Sequence, residues 1–196
     1  MTSFYHHPEG ATPLNDYSGL IPKWVHSMED LNLAEASNIQ NAQKKHLRSK
    51  TPQINKWFTP TFLKKIHSDM FNKVWDWAGK YRSCITSIGV KPNKIPFLTA
   101  EFCMQVQNWH NHPTQLTPLE RSAIIHHRLV QIHPFENGNG RFSRLVADKY
   151  LLSWECHIPI WPSALNNNNQ VRKKYINCLV QDDKLDKNNN TSNAPN

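Results

Sequence analysis

Residues 133–144 read HPFENGNGRFSR and combine the residue types of a phosphate-binding catalytic site. Gly138 and Gly140 allow backbone conformations that are closed to other residues, and they let a ligand approach the main chain closely. Together with the N-terminus of a helix that begins there, the loop N–H groups are expected to form an anion site. Arg141 and Arg144 are three positions apart, so they neighbour one another on the first turn of that helix. An anion between them offsets the cost of placing two cations at a helix N-terminus.

His133 stands at the start of this segment, at the rim of the predicted anion site. Histidine has an unperturbed pKa of about 6.5 and can accept a proton from an attacking hydroxyl. The segment also allows a purely structural interpretation, in which a glycine-rich turn joins two helices. The register of one histidine, two glycines and two arginines favours a site for a polyphosphate and its metal ion.

Helical spacing and start signals predict the elements that must hold this segment. Ser27 is an N-cap for an N-terminal helix, and Thr59-Pro60 begins a second helix. Thr117 to Glu120 combines a capping box with Pro at the first helical position, so it predicts a helix that leads to His133. The remaining helices are predicted from Thr99, from about Gly140 to Leu152, and from about Ser163 to Val180.

Residues 85–98 are the one extended stretch that the sequence predicts. Its two arms, ITSIGV and KIPFL, flank a Pro/Asn turn signal at residues 91–93, so we expect a small β-hairpin. We divide the chain into an extended lead-in at 1–26, an N-terminal helix at 27–55, a catalytic domain at 56–180 and a polar tail at 181–196. The tail is expected to be disordered because it lacks an apolar face.

Composition sets limits on compartment and partners. Lys and Arg number 23 against 15 Asp and Glu, and the formal net charge of +8 is compatible with nucleic acid, anionic lipid or a phosphate ligand. The lysine doublets are dispersed, which disfavours a continuous nucleic-acid track. The chain has no signal-peptide pattern at its start, no run of about 20 apolar residues and no CxxC pair. We therefore expect a cytoplasmic protein without a membrane partner.

HPFENGNGRFSR resembles the signature of the Fic (Fido) family, usually written HxFx(D/E)GNGRxxR. The histidine, the phenylalanine, the GNG triplet and both arginines are in register. Residues 70–82 resemble the family's segment before a hairpin called the flap, and residues 83–90 with the following IPF resemble the flap itself. The resemblance covers about residues 56–155. Within the family the chain looks similar to the group called mobile mystery protein B, which shares GLIP near the N-terminus.

This resemblance implies a mainly α domain with a small β-hairpin flap, and the activity of a protein adenylyltransferase. Such an enzyme moves AMP from ATP to a Ser, Thr or Tyr hydroxyl of a target protein, with Mg²⁺ as the metal. His133 is then the general base. The implied nucleotide-binding residues are Gly138, Asn139, Gly140, Arg141 and Arg144, and the implied flap positions are Ser87, Ile88, Gly89 and Val90. The implied partner is a hydroxyl-bearing protein substrate, with self-modification and a homo-oligomer left open.

Asn137 departs from the family pattern, because an acidic residue normally binds Mg²⁺ there and Glu136 stands one place earlier. An amide oxygen can coordinate the ion, although without the charge, so we assign Asn137 as the metal-binding position. The related Doc toxins have Asn there and phosphorylate their target, but they lack the second glycine that this chain keeps as Gly140. Nucleotide transfer is therefore preferred over Doc-like phosphotransfer. A third interpretation is a non-catalytic basic module for phosphate or nucleic acid, which has no need of His133.

Glu35 lies in the segment LNLAEASNI, which resembles the family's inhibitory helix, written (S/T)xxxE(G/N). Leu31 replaces Ser/Thr and Ala36 replaces Gly/Asn. The resemblance implies that Glu35 pairs with Arg144 and displaces the γ-phosphate of ATP. The alternative is an ordinary solvated glutamate on a helix.

Two other groups of residues invite a functional interpretation and favour a structural one. Adjacent histidines on a helix point about 100° apart, so His126 and His127 are poorly placed to share one ion with His133. Trp75 and Trp77 are expected to be core residues rather than a stacking platform.

Overall fold

The structure, a computed structural model, describes residues 17–48, 53–111 and 115–161. The chain divides into two compact units, Leu14–Pro159 and a second made of Met1–Pro13 with Ile160–Asn196. The second unit lies almost wholly outside the described residues, so the fold described below is that of the first. Most of the predicted lead-in, the predicted helix at 163–180 and the predicted tail also lie outside the described residues.

The described part of the first unit is helical, as predicted. Its elements are α1 (Met28–His46), α2 (Ile54–Trp57), α3 (Pro60–Phe71), a 3₁₀ turn (Pro92–Lys94), α4 (Ile95–Asn111), α5 (Pro118–Ile132) and α6 (Asn139–Ser153). Helices α5 and α6 pack against one another, and α3 contacts both α1 and α6. Among the described helices, none combines the length and the apolar character that crossing a bilayer requires.

The three predicted helix starts with local capping signals are all present. The Ser27 hydroxyl accepts the N–H of Asp30, whose carboxylate accepts the N–H of Ser27 in return. The Thr59 hydroxyl caps α3, and Thr117 forms the predicted capping box with Glu120 at the start of α5. These side chains satisfy N–H groups that have no partner inside the helix, so short sequence motifs are sufficient to fix where the helices begin.

The predicted β-hairpin over residues 85–98 is not confirmed. Residues 81–91 form no strand ladder, and the second predicted arm, KIPFL, lies in the 3₁₀ turn and α4. Helix α4 begins at Ile95 rather than at Thr99, because Ile95 already has helical backbone angles and Pro96 occupies the first turn, where a missing N–H costs nothing. We keep the name flap for residues 83–90, which are irregular.

The core is rich in aromatic side chains where α3 meets the α5–α6 junction. Phe135 and Phe142 are fully buried, with ring centroids 5.0 Å apart. Trp75 is buried and stacks on Trp77 at 5.1 Å, which confirms the prediction that this pair belongs to the core. The only described strand-like pairing is an isolated bridge between Leu20 and Trp75, through which the segment before α1 is attached to the residues after α3.

Polar contacts attach α1 to α3 and α6. The Asn38 side chain donates to the carbonyl of Asp69 at 3.0 Å and accepts the N–H of Lys73 at 2.9 Å. His46 lies 2.8 Å from the Asp69 carboxylate, and the buried ammonium of Lys149 donates to the carbonyl of His46 at 3.1 Å. Directional bonds from the middle and from the C-terminal end of α1 fix its position along α3.

Candidate active site

The glycine-rich segment is the loop that joins α5 to α6. Gly138, the residue before α6, has a positive φ of 77°, and a Cβ on it would lie 2.4 Å from Cζ of Phe71. Only glycine fits both the backbone conformation and the space. The Asn139 side chain bridges the loop, because Oδ1 accepts the N–H of Phe135 at 2.9 Å and Nδ2 donates to the Phe135 carbonyl at 2.7 Å. Asn139 therefore shapes the loop with its side chain and leaves its backbone N–H at the helix start.

His67 on α3 packs against this loop and bonds to it. His67 was not identified from the sequence. Its ring stacks on Phe135 with centroids 3.8 Å apart. Gly79 N–H donates to Nδ1 at 3.0 Å, and Nε2 lies 3.0 Å from the carbonyl of Asn137. A carbonyl accepts only, so Nε2 carries the proton. Burial lowers the pKa of His67 to about 3, so this histidine is a neutral hydrogen-bonding bridge.

His133 is held at the end of α5 as a neutral imidazole. Its Nδ1 lies 3.3 Å from the carbonyl of Val130, which can only accept, so Nδ1 carries the proton and Nε2 keeps its lone pair. Burial, opposed by this hydrogen bond and assisted by the charge of Arg82, lowers the pKa of His133 to about 4. At neutral pH the side chain is therefore in the form that accepts a proton.

Arg82 is a second residue that sequence reasoning did not identify. Its guanidinium is buried and donates to three main-chain carbonyls: Nε to His133 at 2.6 Å, Nη1 to Cys84 at 2.7 Å and Nη2 to Val90 at 2.6 Å. The backbone N–H of Arg82 donates to the carbonyl of Pro134 at 3.0 Å. One side chain thus joins the flap to the backbone of the histidine.

The predicted flap positions lie beside the end of α5, although without the predicted hairpin. A Cβ on Gly89, whose φ is 116°, would lie 2.5 Å from Cβ of His133, and Val90 N–H reaches the carbonyl of Ile132 at 3.4 Å. Ser87 is exposed, and the carbonyl of Ile88 accepts the hydroxyl of Thr86 at 2.6 Å.

Glu35 reaches the motif helix from α1. It is only 5% exposed, which excludes the alternative of a solvated glutamate. Its Oε2 pairs with Nη1 of Arg141 at 2.5 Å, and its Oε1 accepts the indole N–H of Trp75 at 2.8 Å. The partner is therefore the first motif arginine, which corrects the predicted pairing with Arg144. The reason is that Arg141 lies over the ring of Phe71, at the end of the helix on which α1 packs.

Gly140 and Arg144 border the open side of the first turn of α6. A Cβ on Gly140 would meet Nη1 of Arg144 at 3.8 Å, an ordinary contact distance, so the structure leaves room there. The charge of Arg144 also affects His126 on α5. Burial of His126, assisted by this charge, lowers the pKa of His126 to about 4. The described residues contain no group of three His, Cys, Asp or Glu side chains that could hold a metal. His126, His127 and His133 therefore do not form such a group.

Within the loop between α5 and α6, Asn137 and Glu136 are the candidates for binding a metal ion. Asn137 Oδ1 accepts the N–H of Gly138 at 2.6 Å, which leaves its second lone pair available. The Glu136 carboxylate accepts the thiol of Cys84 at 3.2 Å. A neutral amide oxygen fits Mg²⁺ when phosphates supply most of the negative ligands.

Sequence comparisons identify relatives of this segment. A profile of the Fic/DOC family matches residues 57–151. Protein adenylyltransferase fic-1 from Caenorhabditis elegans is 35% identical over 77 residues, which cover 38% of this chain and 15% of that protein. Protein adenylyltransferase Fic from Drosophila melanogaster is 44% identical over 90 residues, which cover 45% of this chain and 16% of that protein. The chain thus matches less than a fifth of the length of either relative.

Solved structures share the fold. The BepC protein of Bartonella tribocorum, crystallised with bound AMPPNP, has a TM-score of 0.57 at 20% identity, covering 76% of this chain and 80% of that chain. A Fic-domain signaling protein from Bacteroides thetaiotaomicron has a TM-score of 0.58 at 20% identity, covering 82% of this chain and 60% of that chain. These likenesses confirm the predicted helical fold.

Proposed function

Because residues 57–151 of the chain form a domain of the Fic/DOC family, we propose that the protein is a protein adenylyltransferase. It transfers AMP from ATP to a Ser, Thr or Tyr hydroxyl of a target protein. The observation that carries the proposal is the neutral His133 imidazole, with its free lone pair on Nε2, next to the N-terminus of α6. The adenylyltransferases among the relatives and the AMPPNP-bound structure support ATP as the co-substrate.

In the proposed reaction the hydroxyl oxygen of the target attacks the α-phosphorus of ATP. A bond forms between that oxygen and phosphorus, the bond from the α-phosphorus to the α,β-bridging oxygen breaks, and pyrophosphate leaves. The hydroxyl proton passes to Nε2 of His133. Although burial lowers the pKa of His133 to about 4, negative phosphates nearby favour the imidazolium as it forms, so proton uptake becomes easier in the complex with ATP.

The chain's own groups hold the phosphates. The backbone N–H groups of Asn139 and Gly140, in the first turn of α6, face the phosphate charge, whereas the Gly138 N–H donates to Asn137 Oδ1. The arginines at 141 and 144 supply planar donor pairs that suit phosphate oxygens. Asn137 would hold Mg²⁺ through its amide oxygen, and the ion, when bound, neutralises phosphate charge and helps pyrophosphate to leave. The flap beside His133 is where the target segment is proposed to bind, with its hydroxyl directed at Nε2.

Glu35 is the proposed inhibitor of this site. Its carboxylate occupies a donor of Arg141 and adds a negative charge where phosphate oxygens would lie. ATP can then bind only after Glu35 withdraws or in a pose that leaves the α-phosphorus out of line for attack. Inhibition is proposed to act through Arg141, since that is the observed partner.

Asn137 is the observation that favours a second candidate, Doc-like phosphotransfer, and labelling distinguishes the two. The purified full chain and its Glu35→Gln variant are incubated with a cell lysate, Mg²⁺ or Mn²⁺, and ATP labelled on either the α- or the γ-phosphate. Protein bands labelled from α-ATP alone are expected, and they should be missing with His133→Ala. Label from γ-ATP alone would identify a phosphotransferase. If neither label is transferred, the site binds phosphate without chemistry.

A further inference from the structure

Arg82 has an unusual environment for a buried cation. Its side chain is 4% exposed, and among the described residues its hydrogen bonds are to carbonyls rather than to a carboxylate. Burial of the charge disfavours the protonated form and lowers the pKa of Arg82. Three short bonds from the guanidinium offset part of the desolvation cost, but apolar packing would stabilise the fold without that cost. The arrangement therefore calls for an explanation beyond stability.

One bond of Arg82 acts on the backbone of His133. That residue has φ 50° and ψ 61°, a left-handed conformation that is uncommon for a residue with a side chain. Arg82 Nε donates to the carbonyl of His133, and the backbone N–H of Arg82 donates to the next carbonyl, that of Pro134. Both peptide groups after the histidine are therefore fixed. Fixing these groups also fixes the direction in which the imidazole leaves the chain.

The other two bonds act on the flap. The carbonyls of Cys84 and Val90 stand at opposite ends of the flap, and one guanidinium holds both. Gly89 fits between the two sides only because it has no Cβ, which would lie 2.7 Å from Nη2 of Arg82 and 2.5 Å from Cβ of His133. The guanidinium thus bonds both to the flap and to the carbonyl of His133, and it acts there beside the contacts of Val90 N–H with the Ile132 carbonyl and of the Cys84 thiol with Glu136.

We propose that Arg82 is a positioning residue that holds the flap at a fixed distance from His133, so that a target hydroxyl bound along the flap reaches Nε2. The proposal rests on the proposed transfer reaction, in which the flap binds the target. Lysine is a poor replacement in this role, because all three donors of an ammonium leave one nitrogen, whereas the rigid guanidinium presents Nε, Nη1 and Nη2 to three separate carbonyls.

The test compares Arg82→Lys with wild type, both in the Glu35→Gln background. Misplacing a reacting group by about 1 Å can cost ~10²-fold in rate. Arg82→Lys is therefore expected to lower kcat by roughly 10- to 100-fold and to raise KM for the target protein, with ATP affinity changed by less than about 3-fold. Arg121→Met is the matched control, since Arg121 is also buried and also donates to a main-chain carbonyl, that of Trp109. It is expected to keep kcat and both KM values within about 3-fold of wild type.

Two measurements on the full chain need no activity. Amide hydrogen exchange at Val90 is expected to be at least ~10-fold faster in Arg82→Lys, with α5 unchanged, because the flap is released as a local unit. Arg82→Met removes the positive charge that acts on the His133 ring, so NMR titration should show its pKa rising. Wild-type kinetics together with wild-type exchange at Val90 in Arg82→Lys would overturn the proposal. If neither protein transfers label from ATP, the adenylyltransferase function fails, and exchange at Val90 still decides whether Arg82 holds the flap.

Discussion

His133 combines two properties that a general base needs, a defined tautomer and a neutral state at physiological pH. Replacing it with Asn is expected to lower the transfer rate by about 10²–10⁴-fold, because the proton loses its acceptor. Asn tolerates the left-handed backbone at this position better than Ala does, so fold and ATP affinity are expected to persist. Single-turnover labelling and equilibrium ATP binding measure the two effects separately. Loss of ATP binding would assign His133 to holding the nucleotide instead.

Glu35 is expected to restrain the activity through its charge. Glu35→Gln keeps an acceptor for the Trp75 indole but removes the carboxylate from Arg141, so label transfer is expected to rise by ~10²-fold as the phosphates regain their position. Glu35→Gly, which also disturbs the helix, is expected to act in the same direction. Glu29→Gly, an exposed position in the first turn of α1, is the control.

The gain should disappear when Arg141→Ala is added to Glu35→Gln, because the released arginine is what restores the phosphate position. If instead Arg144→Ala removes the gain and Arg141→Ala does not, the inhibition acts through the second arginine, as the family resemblance implied. Equal activity of wild type and Glu35→Gln would show that the ion pair is structural.

At the scale of single residues, sequence reasoning succeeded where the deciding contacts are local. The caps at Ser27, Thr59 and Thr117 depend on bonds to residues three positions away, and such spacing is visible in the chain. The partner of Glu35 lies 106 positions along the chain and was assigned wrongly. The role of Arg82 was not predicted, because its partners are main-chain carbonyls, which have no signature in residue type, and one of them lies 51 positions along the chain.

At the scale of elements, Trp75 joins three pieces of structure. The segment before α1 bridges to it at Leu20, and its ring stacks on Trp77. Its indole N–H donates to Oε1 of Glu35, whereas Arg141 binds Oε2. The position of the carboxylate thus depends on how this segment and α1 pack, in addition to the ion pair itself.

Trp75→Phe is expected to release Glu35 only in part. The variant loses a buried hydrogen bond to a charged group, which contributes about 1.5–3 kcal/mol, so the domain becomes less stable and the carboxylate less well held. Transfer activity should rise, but less than in Glu35→Gln, because the negative charge remains. Trp77→Phe removes the neighbouring indole, which is not bonded to Glu35, and should leave activity unchanged. A larger gain from Trp75→Phe than from Glu35→Gln would contradict this order.

The hairpin shows why element type is harder to predict than element ends. ITSIGV has strand-like composition, yet its main-chain carbonyl at Val90 bonds to an arginine side chain instead of a second strand. KIPFL follows Pro92, whose ring starts a 3₁₀ turn that continues directly into α4. Tertiary contacts and one proline outweighed a weak local preference for strand.

At the scale of the whole domain, buried histidines link stability to pH: among the described residues burial lowers the pKa of four, His46, His67, His126 and His133, and the last three shifts are large. The pKa values of His67, His126 and His133 are lowered from 6.5 to about 3, 4 and 4, chiefly by burial. The unfolded chain takes up protons on these residues near pH 6.5, whereas the folded domain does so only near pH 3–4. Stability is therefore complete above pH 6.5 and falls as the pH drops toward 4.

Each of these three histidines contributes a slope of at most roughly 1.4 kcal/mol per pH unit, so together they give at most about 4 kcal/mol per unit near pH 5 and less toward pH 6 and pH 4. Urea unfolding at pH 7, 6 and 5 measures this slope. His67→Gln, whose amide can still donate and accept, is expected to remove about a third of it. A free energy of unfolding that stays constant from pH 7 to pH 5 would show that these histidines titrate normally in the folded state.

The order of Glu35 and Arg141 along the chain has a consequence for the newly made protein. Glu35 leaves the ribosome 106 residues before Arg141, an interval on the order of 10 s at ordinary rates of translation. By the time α6 emerges and the phosphate loop can close, both α1, which carries the carboxylate, and α3, on which α1 packs, have been synthesised. If Glu35 inhibits as proposed, the inhibitory carboxylate is present before the phosphate-binding loop can fold. A newly made molecule then has no active period before inhibition begins.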